Sequence, residues 1–211
     1  MIKIGRDYSL NSPSICIDNG DSLEFISFFN TDGQVWKREK PLKKFHYHNI
    51  LDNIIRLVPY SRSTDKTNYQ TEQTSKMRDA AYMATLITDT IRECANGYDI
   101  VVSIEGFAYA SKGAAFIDLI LYNSFLRREL LSAFGFDQLV VVAPTEAKKL
   151  AGKGNADKEY MIKAFIENRL GDNLLADNPL YKYVVENELD YNNIKPIDDL
   201  IDSYWIMRCI K

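Results

Sequence analysis

The chain has 211 residues and a mass of 24.2 kDa, a length that fits one domain with room for an insertion and that can bury a full core. Hydrophobic residues make up 46% and charged residues 26%, which excludes a disordered chain or a coiled coil, and no apolar run is long enough to span a bilayer. The net charge of −3 and pI near 5.5 argue against a protein that coats nucleic acid nonspecifically, while leaving room for a nuclease whose basic residues gather locally.

The N-terminus lacks the basic-then-apolar pattern of a signal peptide, so a cytoplasmic location is expected. Cys16, Cys94 and Cys209 share no metal-ligand spacing and read as small core residues.

Residues 1–9 form an apolar strand pattern that ends in a carboxylate, Asp7, where an ordinary strand avoids one. Asp7 is therefore either a turn residue or part of a site. Residues 14–17 and 22–29 read as two more strands, separated by the turn tetrapeptide Asp18-Asn19-Gly20-Asp21, so the chain opens with an antiparallel meander. Between residues 31 and 74 the pattern loosens. Here Trp36, Lys37, Arg38, Lys40, Lys43, Lys44 and Phe45 mix basic residues with aromatics, either as a wall for a phosphate backbone or as a solvated loop. Ile50, Leu51, Ile54, Ile55 and Val58 have helical spacing, which predicts a short helix before Pro59, and residues 61–74 read as a loop. His46 and His48 have no further histidine or neighbouring cysteine and read as a surface pair.

Met77, Ala80, Ala81, Ala84, Ile87, Ile91 and Cys94 mark a long amphipathic helix that Gly97 closes. Residues 99–106 then form an apolar run of the kind a strand buried on both faces shows, and this strand also ends in an acid, Glu105. A helix over 111–134 and a strand over 138–143 complete a parallel crossover. Residues 145–150 and 156–170 read as two helices, the second capped by Asn155, and 168–193 as polar and irregular with one helical piece near 181–185. Pro196 opens a last helix over 197–210. The implied fold class is α/β: a mixed five-stranded sheet, antiparallel meander first and parallel crossovers after, flanked by helices.

The last helix begins Asp198-Asp199-Leu200-Ile201-Asp202, in which either Asp198 or Asp199 can share a face with Asp202. Neighbouring parallel strands that end at one sheet edge bring their terminal acids together, where open α/β sheets place their sites. Clustered carboxylates repel one another unless cations neutralise them, and hard oxygen donors suit Mg²⁺ or Mn²⁺. Two such ions about 4 Å apart are the standard apparatus for phosphodiester hydrolysis. The plainer reading of the helix acids is complementation of the helix dipole.

Ile4-Gly5-Arg6-Asp7-Tyr8-Ser9, Ile104-Glu105-Gly106, Gly152-Lys153-Gly154-Asn155-Ala156-Asp157-Lys158 and Asp199-Leu200-Ile201-Asp202 together resemble the successive motifs of RuvC-like Holliday junction resolvases, most closely the phage and poxvirus branch. The resemblance covers roughly residues 1–30 and 75–211. It implies a ribonuclease H-like fold in one nuclease domain over 1–211, carrying a basic and polar insertion at about 31–74. It further implies a homodimer, and a Mg²⁺-dependent endonuclease with two ions per site, Mn²⁺ substituting, that cuts branched DNA such as a four-way junction. The metal-binding acids fall on Asp7, Glu105, Asp199 and Asp202, with Asp198 outside the set. Lys158 falls on a lysine that the family keeps near the active site, and Lys148 or Lys149 on another. With Lys112 and Lys153 these are the expected DNA contacts, against a plain reading as solvated surface. A nuclease for flaps or RNA–DNA hybrids, a non-catalytic junction binder and a sugar-kinase-like ATPase compete with this reading. The ATPase needs two related domains, for which the chain is short. A homodimer is also expected from residues 114–122, where Asp118 alone is polar, because a helix apolar all round needs both sides covered.

Overall fold

The computed structural model describes residues 1–10, 12–31, 51–61, 65–107, 113–187 and 195–211. The opening meander is β1 (Ile2–Asp7), β2 (Ser14–Asp18) and β3 (Leu23–Asn30), each antiparallel to the next. Its second turn is held by side chains: Gly20 N donates to Asp18 Oδ1 at 2.9 Å, and Ser22 N to Asn19 Oδ1 at 2.8 Å.

Next comes β4 (Arg56–Tyr60), parallel to β3 at the sheet edge, where the periodicity predicts a helix. Pro59 ends a helix but is tolerated on an edge strand, and β-branched Val58 suits a pleated surface. Among the described residues the sheet consequently has six strands rather than five, in the order β4-β3-β2-β1-β5-β6.

Helix α1 (Tyr69–Ala95) starts inside the stretch read as a loop. Its first turns carry no apolar periodicity and are fixed instead by Asn68, whose side chain accepts from Thr71 N at 2.9 Å. Then follow β5 (Ile100–Glu105), α2 (Ala114–Phe134) and β6 (Leu139–Val142), with β5 parallel to both β1 and β6. Four helices come next: α3 (Pro144–Ala151), α4 (Lys158–Ile166), α5 (Asn173–Asp177) and α6 (Pro179–Glu186). The cap of α4 is Asp157, not Asn155; its Oδ1 accepts from Tyr160 N at 2.9 Å. The last helix is α7 (Ile197–Arg208).

Alternation along β1 and β5 divides the core in two. Ile2, Ile4, Val102 and Ile104 face α1 and α2, packing on Ile87, Leu126 and Leu130. On the other face α7 lies against the sheet and under α3 and α4, with Leu200, Ile201, Tyr204 and Trp205 all buried. That position explains why α7 is apolar almost all round. Its C-terminal end is anchored by Arg208, which pairs with Asp18 at 2.8 Å and also with Asp172.

Among the described residues no helix is long and apolar enough to cross a membrane. The basic stretch 36–45, His46, His48 and Lys112 lie outside the described residues.

Candidate metal centre

Register brings the first two acids together. β1 and β5 run parallel with Arg6 opposite Ile104, so one step further Asp7 and Glu105 sit side by side at the carboxyl edge of the sheet. Both share the face of Gly5 and Ser103, which is the face that carries α7: Ser103 Oγ donates to Ile206 O at 2.9 Å.

Close packing of α7 depends on Gly5. A Cβ at this position would lie 2.2 Å from Ser203 O and 2.2 Å from Met207 N. With no side chain on β1 there, the helix settles onto the strand and its first two turns reach the sheet edge. Carboxylate oxygens of Asp7, Asp199 and Asp202 then lie within 4.8 Å of one another. Glu105, Asp7 and Asp202 line one cavity of about 130 Å³ together with Lys148, Lys158 and Pro144. Asp198 is turned elsewhere, accepting from Lys158 Nζ at 2.6 Å and pairing with Lys195 at 3.2 Å.

The electrostatics follow from burial and crowding. Burial, then the fields of Asp199, Asp202 and Glu105, raises Asp7 well above the usual carboxylate range. Asp202 is pushed up to about 7 by burial and by its acidic neighbours, against the pull of Lys158. Burial likewise raises Glu105, with Lys148 and Lys158 opposing. Burial also works against ionisation of Asp198, but Lys195 and Lys158 outweigh it and hold its carboxyl low. Three carboxylates this close fit a hard divalent cation, since all donors are oxygen and the charge they leave uncompensated is negative.

Of the lysines expected to touch DNA, the structure brings Lys148 and Lys158 to the acids. Lys149 is exposed, and Lys153 lies over the Tyr160 ring, 4.3 Å from its centroid. Three residues near the acids escaped the sequence reading. Lys195 pairs with Asp199, and its spacing of three and four residues before Asp198 and Asp199 was the available signal. Ser12, between the first two strands, donates its hydroxyl to Asp199. Arg6 stands where the alternation of Ile2 and Ile4 calls for an apolar residue, and is 1% exposed; burial lowers its guanidinium to about 9.

The raised value of Asp202 has a stability consequence. In the unfolded chain this carboxyl returns to 3.8, so between about pH 4 and pH 7 the folded chain holds the extra proton and stability falls as pH rises. Asp202→Asn is expected to raise the melting temperature of cation-free protein at pH 8 by about 4–8 °C, an effect on the order of 2 kcal/mol. At pH 4 it should change little. Calorimetry in EDTA at the two pH values checks this, and an equal gain at both would mean that ionisation of the buried, crowded carboxyl is not the cause.

A mixed sheet whose central parallel strands end in carboxylates, faced by an acid-bearing C-terminal helix, is the ribonuclease H-like architecture. More narrowly, the fold is RuvC-like. The yeast mitochondrial Holliday junction resolvase Ydc2 superposes with a TM-score of 0.51 at 16% identity, over 97% of this chain and 75% of that one. Thermus thermophilus RuvC superposes at 0.45 and 11% identity, covering 99% of this chain and 96% of that one. Its complex with a Holliday junction substrate superposes at 0.44 and 13% identity, over 99% and 96%. No family model matches the chain, and no curated protein matches it by sequence.

Proposed function

We propose that the chain is a metal-dependent endonuclease of the RuvC-like resolvase family, that it cuts four-way DNA junctions, and that Asp7, Glu105, Asp199 and Asp202 hold its cations. The observation that carries this is the approach of three carboxylates to within 4.8 Å at the sheet edge, on a strand and a helix that the fold forces together. A protein that only bound DNA would gain nothing from acids that repel phosphate. The fold shared with a Holliday junction resolvase supports branched DNA as substrate.

Magnesium, or manganese in its place, supplies an activated water and stabilises the leaving oxygen when bound at such a site. The remaining work belongs to the chain. Lys158 and Lys148, on the wall of the acid cavity, bind non-bridging oxygens of the scissile phosphate and oppose the negative field of the acids. Ser12 orients Asp199 through one carboxylate oxygen, and Lys195 neutralises the other until a cation takes its place. Asp202, with its raised value, gives up its proton before a cation enters, so activity rises with pH toward neutrality. Lys149, Lys153 and Lys112 extend the contact along the DNA backbone.

Comparing cleavage of a four-way junction, a flap, an RNA–DNA hybrid and a linear duplex in Mg²⁺ tests the substrate. Preference for the junction is expected, and equal cutting of all four would leave a general nuclease.

A homodimer goes with this reading. In the structure α1 packs along α2, with Lys76 paired to Asp118 at 3.1 Å, and so covers part of the face that the sequence leaves bare. Ile117 near the start of α2 stays 67% exposed and Val141 on β6 55%, and these side chains support a second copy docking there. Light scattering at micromolar concentration should give the mass of two chains. A monomeric mass with and without junction DNA would remove the dimer, and with it paired cuts in opposing strands.

A further inference from the structure

Four side chains around the start of α7 form a chain of alternating charges beside the acid cluster. Lys195 reaches Oδ1 of Asp199 with its Nζ and stands 3.2 Å from Oδ2 of Asp198. Lys158, on α4, donates to the same Asp198 oxygen at 2.6 Å and lies 4.0 Å from Asp199 Oδ1. Asp199 belongs to the cluster of three carboxylates, and Asp198 does not. Both oxygens of Asp199 are engaged, Oδ2 by the Ser12 hydroxyl and Oδ1 by Lys195. A divalent cation that takes Asp199 as a ligand therefore meets an ammonium on the same carboxylate, and two positive charges that close repel strongly. The hydroxyl carries no charge and can stay. Lys195 is the group that has to move.

A place for it exists in the same turn. Asp198 is buried, and its Oδ1 has no hydrogen-bond partner. A buried carboxylate oxygen is ordinarily satisfied, because leaving it bare is expensive. Lys158 holds Oδ2 and leaves Oδ1 open to a second donor. The Lys195 ammonium, with three donors, starts within ion-pair range of Asp198, so it can release Asp199 and close on Asp198 by a short swing. Lysine suits that movement, since a flexible stem carries its compact charge, whereas an arginine fork would clamp the carboxylates in one geometry.

We propose that Lys195 is a displaceable counter-cation of the metal centre, taken off Asp199 by the entering divalent cation and then kept by Asp198. Asp199 accepts a metal only in the fraction of molecules whose Lys195 has moved, so Lys195 and Asp198 together set how much free cation the protein needs. Asp198 binds no metal; it stores the lysine. Lys195 is a positioning residue that acts on the cation through Asp199, and the inference rests on the reading of Asp7, Asp199 and Asp202 as a cation site.

The test reads binding rather than cleavage. Full-length protein without DNA is titrated with Mn²⁺, and the free ion is measured by electron paramagnetic resonance. Lys195→Met is expected to lower the Mn²⁺ dissociation constant by about 10-fold or more, because Asp199 is then always available. Lys148 stands on the wall of the same cavity, in the field of Glu105, and forms no ion pair among the described residues. Lys148→Met thus removes an equal charge without freeing a ligand, and should change the constant by less than about 3-fold. Lys195→Gln keeps a donor for Asp199 without the charge and should also bind tighter than the wild type; it carries the comparison if Lys195→Met loses its fold in EDTA. In a crystal of the wild type soaked in Mn²⁺, Lys195 Nζ is expected within hydrogen-bond distance of Asp198. A Lys195→Met constant no lower than that of Lys148→Met would overturn the inference. So would manganese on Asp199 with Lys195 Nζ still beside it, or withdrawn from both aspartates. Wild-type protein that binds no Mn²⁺, or binds it equally well after Asp7→Asn, would instead remove the metal centre, and this inference with it.

Discussion

Asp7→Asn is expected to abolish strand cleavage, by on the order of 10³-fold or more, while junction binding stays intact or tightens. Asp7 stands at the centre of the acid cluster, within 4.8 Å of Asp199 and Asp202 and next to Glu105. Loss of its charge weakens cation binding and at the same time reduces repulsion of the phosphate backbone, so the two readouts should move in opposite directions. Glu105→Gln should behave alike, because its carboxyl lines the same cavity. Asp198→Asn should stay active, since that carboxylate is turned to Lys158 and Lys195. A cleavage assay beside a gel-shift assay measures both quantities. Normal turnover of either the Asp7 or the Glu105 variant would remove the acid cluster as the active site.

Gly5→Ala is expected to be the most damaging single methyl in the protein. The added carbon would meet backbone at 2.2 Å on two sides, at Ser203 O and Met207 N, and a helix backbone cannot step aside as a side chain can. The cost should be at least about 3 kcal/mol, or roughly 6–12 °C in melting temperature. If the variant folds, α7 must stand off the sheet and carry Asp199 and Asp202 away from Asp7, so cleavage should fall further than stability alone accounts for. A melting temperature within about 2 °C of the wild type would mean that α7 does not pack on β1 as described.

The contrast between Gly5 and Asp7 shows what could be read in the sequence. An acid closing an apolar strand is conspicuous, and Asp7 and Glu105 were legible as candidates because each breaks a local rule of burial or propensity, while the α7 aspartates obey the helix-dipole rule and were legible by their spacing. Their convergence was legible only through strand order, since the register that aligns Asp7 with Glu105 pairs residues about a hundred positions apart. Gly5 gives no signal of that kind; its role is a close approach made by tertiary packing. β4 was lost because the spacing of Ile50, Leu51, Ile54, Ile55 and Val58 mimics a helix, while the pairing with β3 that makes 56–60 a strand is not local. Lys195 and Ser12 were missed for a related reason: both act on Asp199 from turns whose course only the fold determines. Arg6 was legible in principle, as a charge in an apolar alternation, but it was overshadowed by the acid that follows it.

The most direct measurement is a crystal of the protein soaked in Mn²⁺ and recorded at an energy where manganese scatters anomalously. Anomalous density is expected at the sheet edge in contact with Asp7 and Asp202, with Asp199 and Glu105 completing the oxygen donors and Lys195 displaced from Asp199. Absence of density between Asp7 and Asp202 at millimolar Mn²⁺, or density bound to Asp198 with Asp199 left on Lys195, would contradict the account.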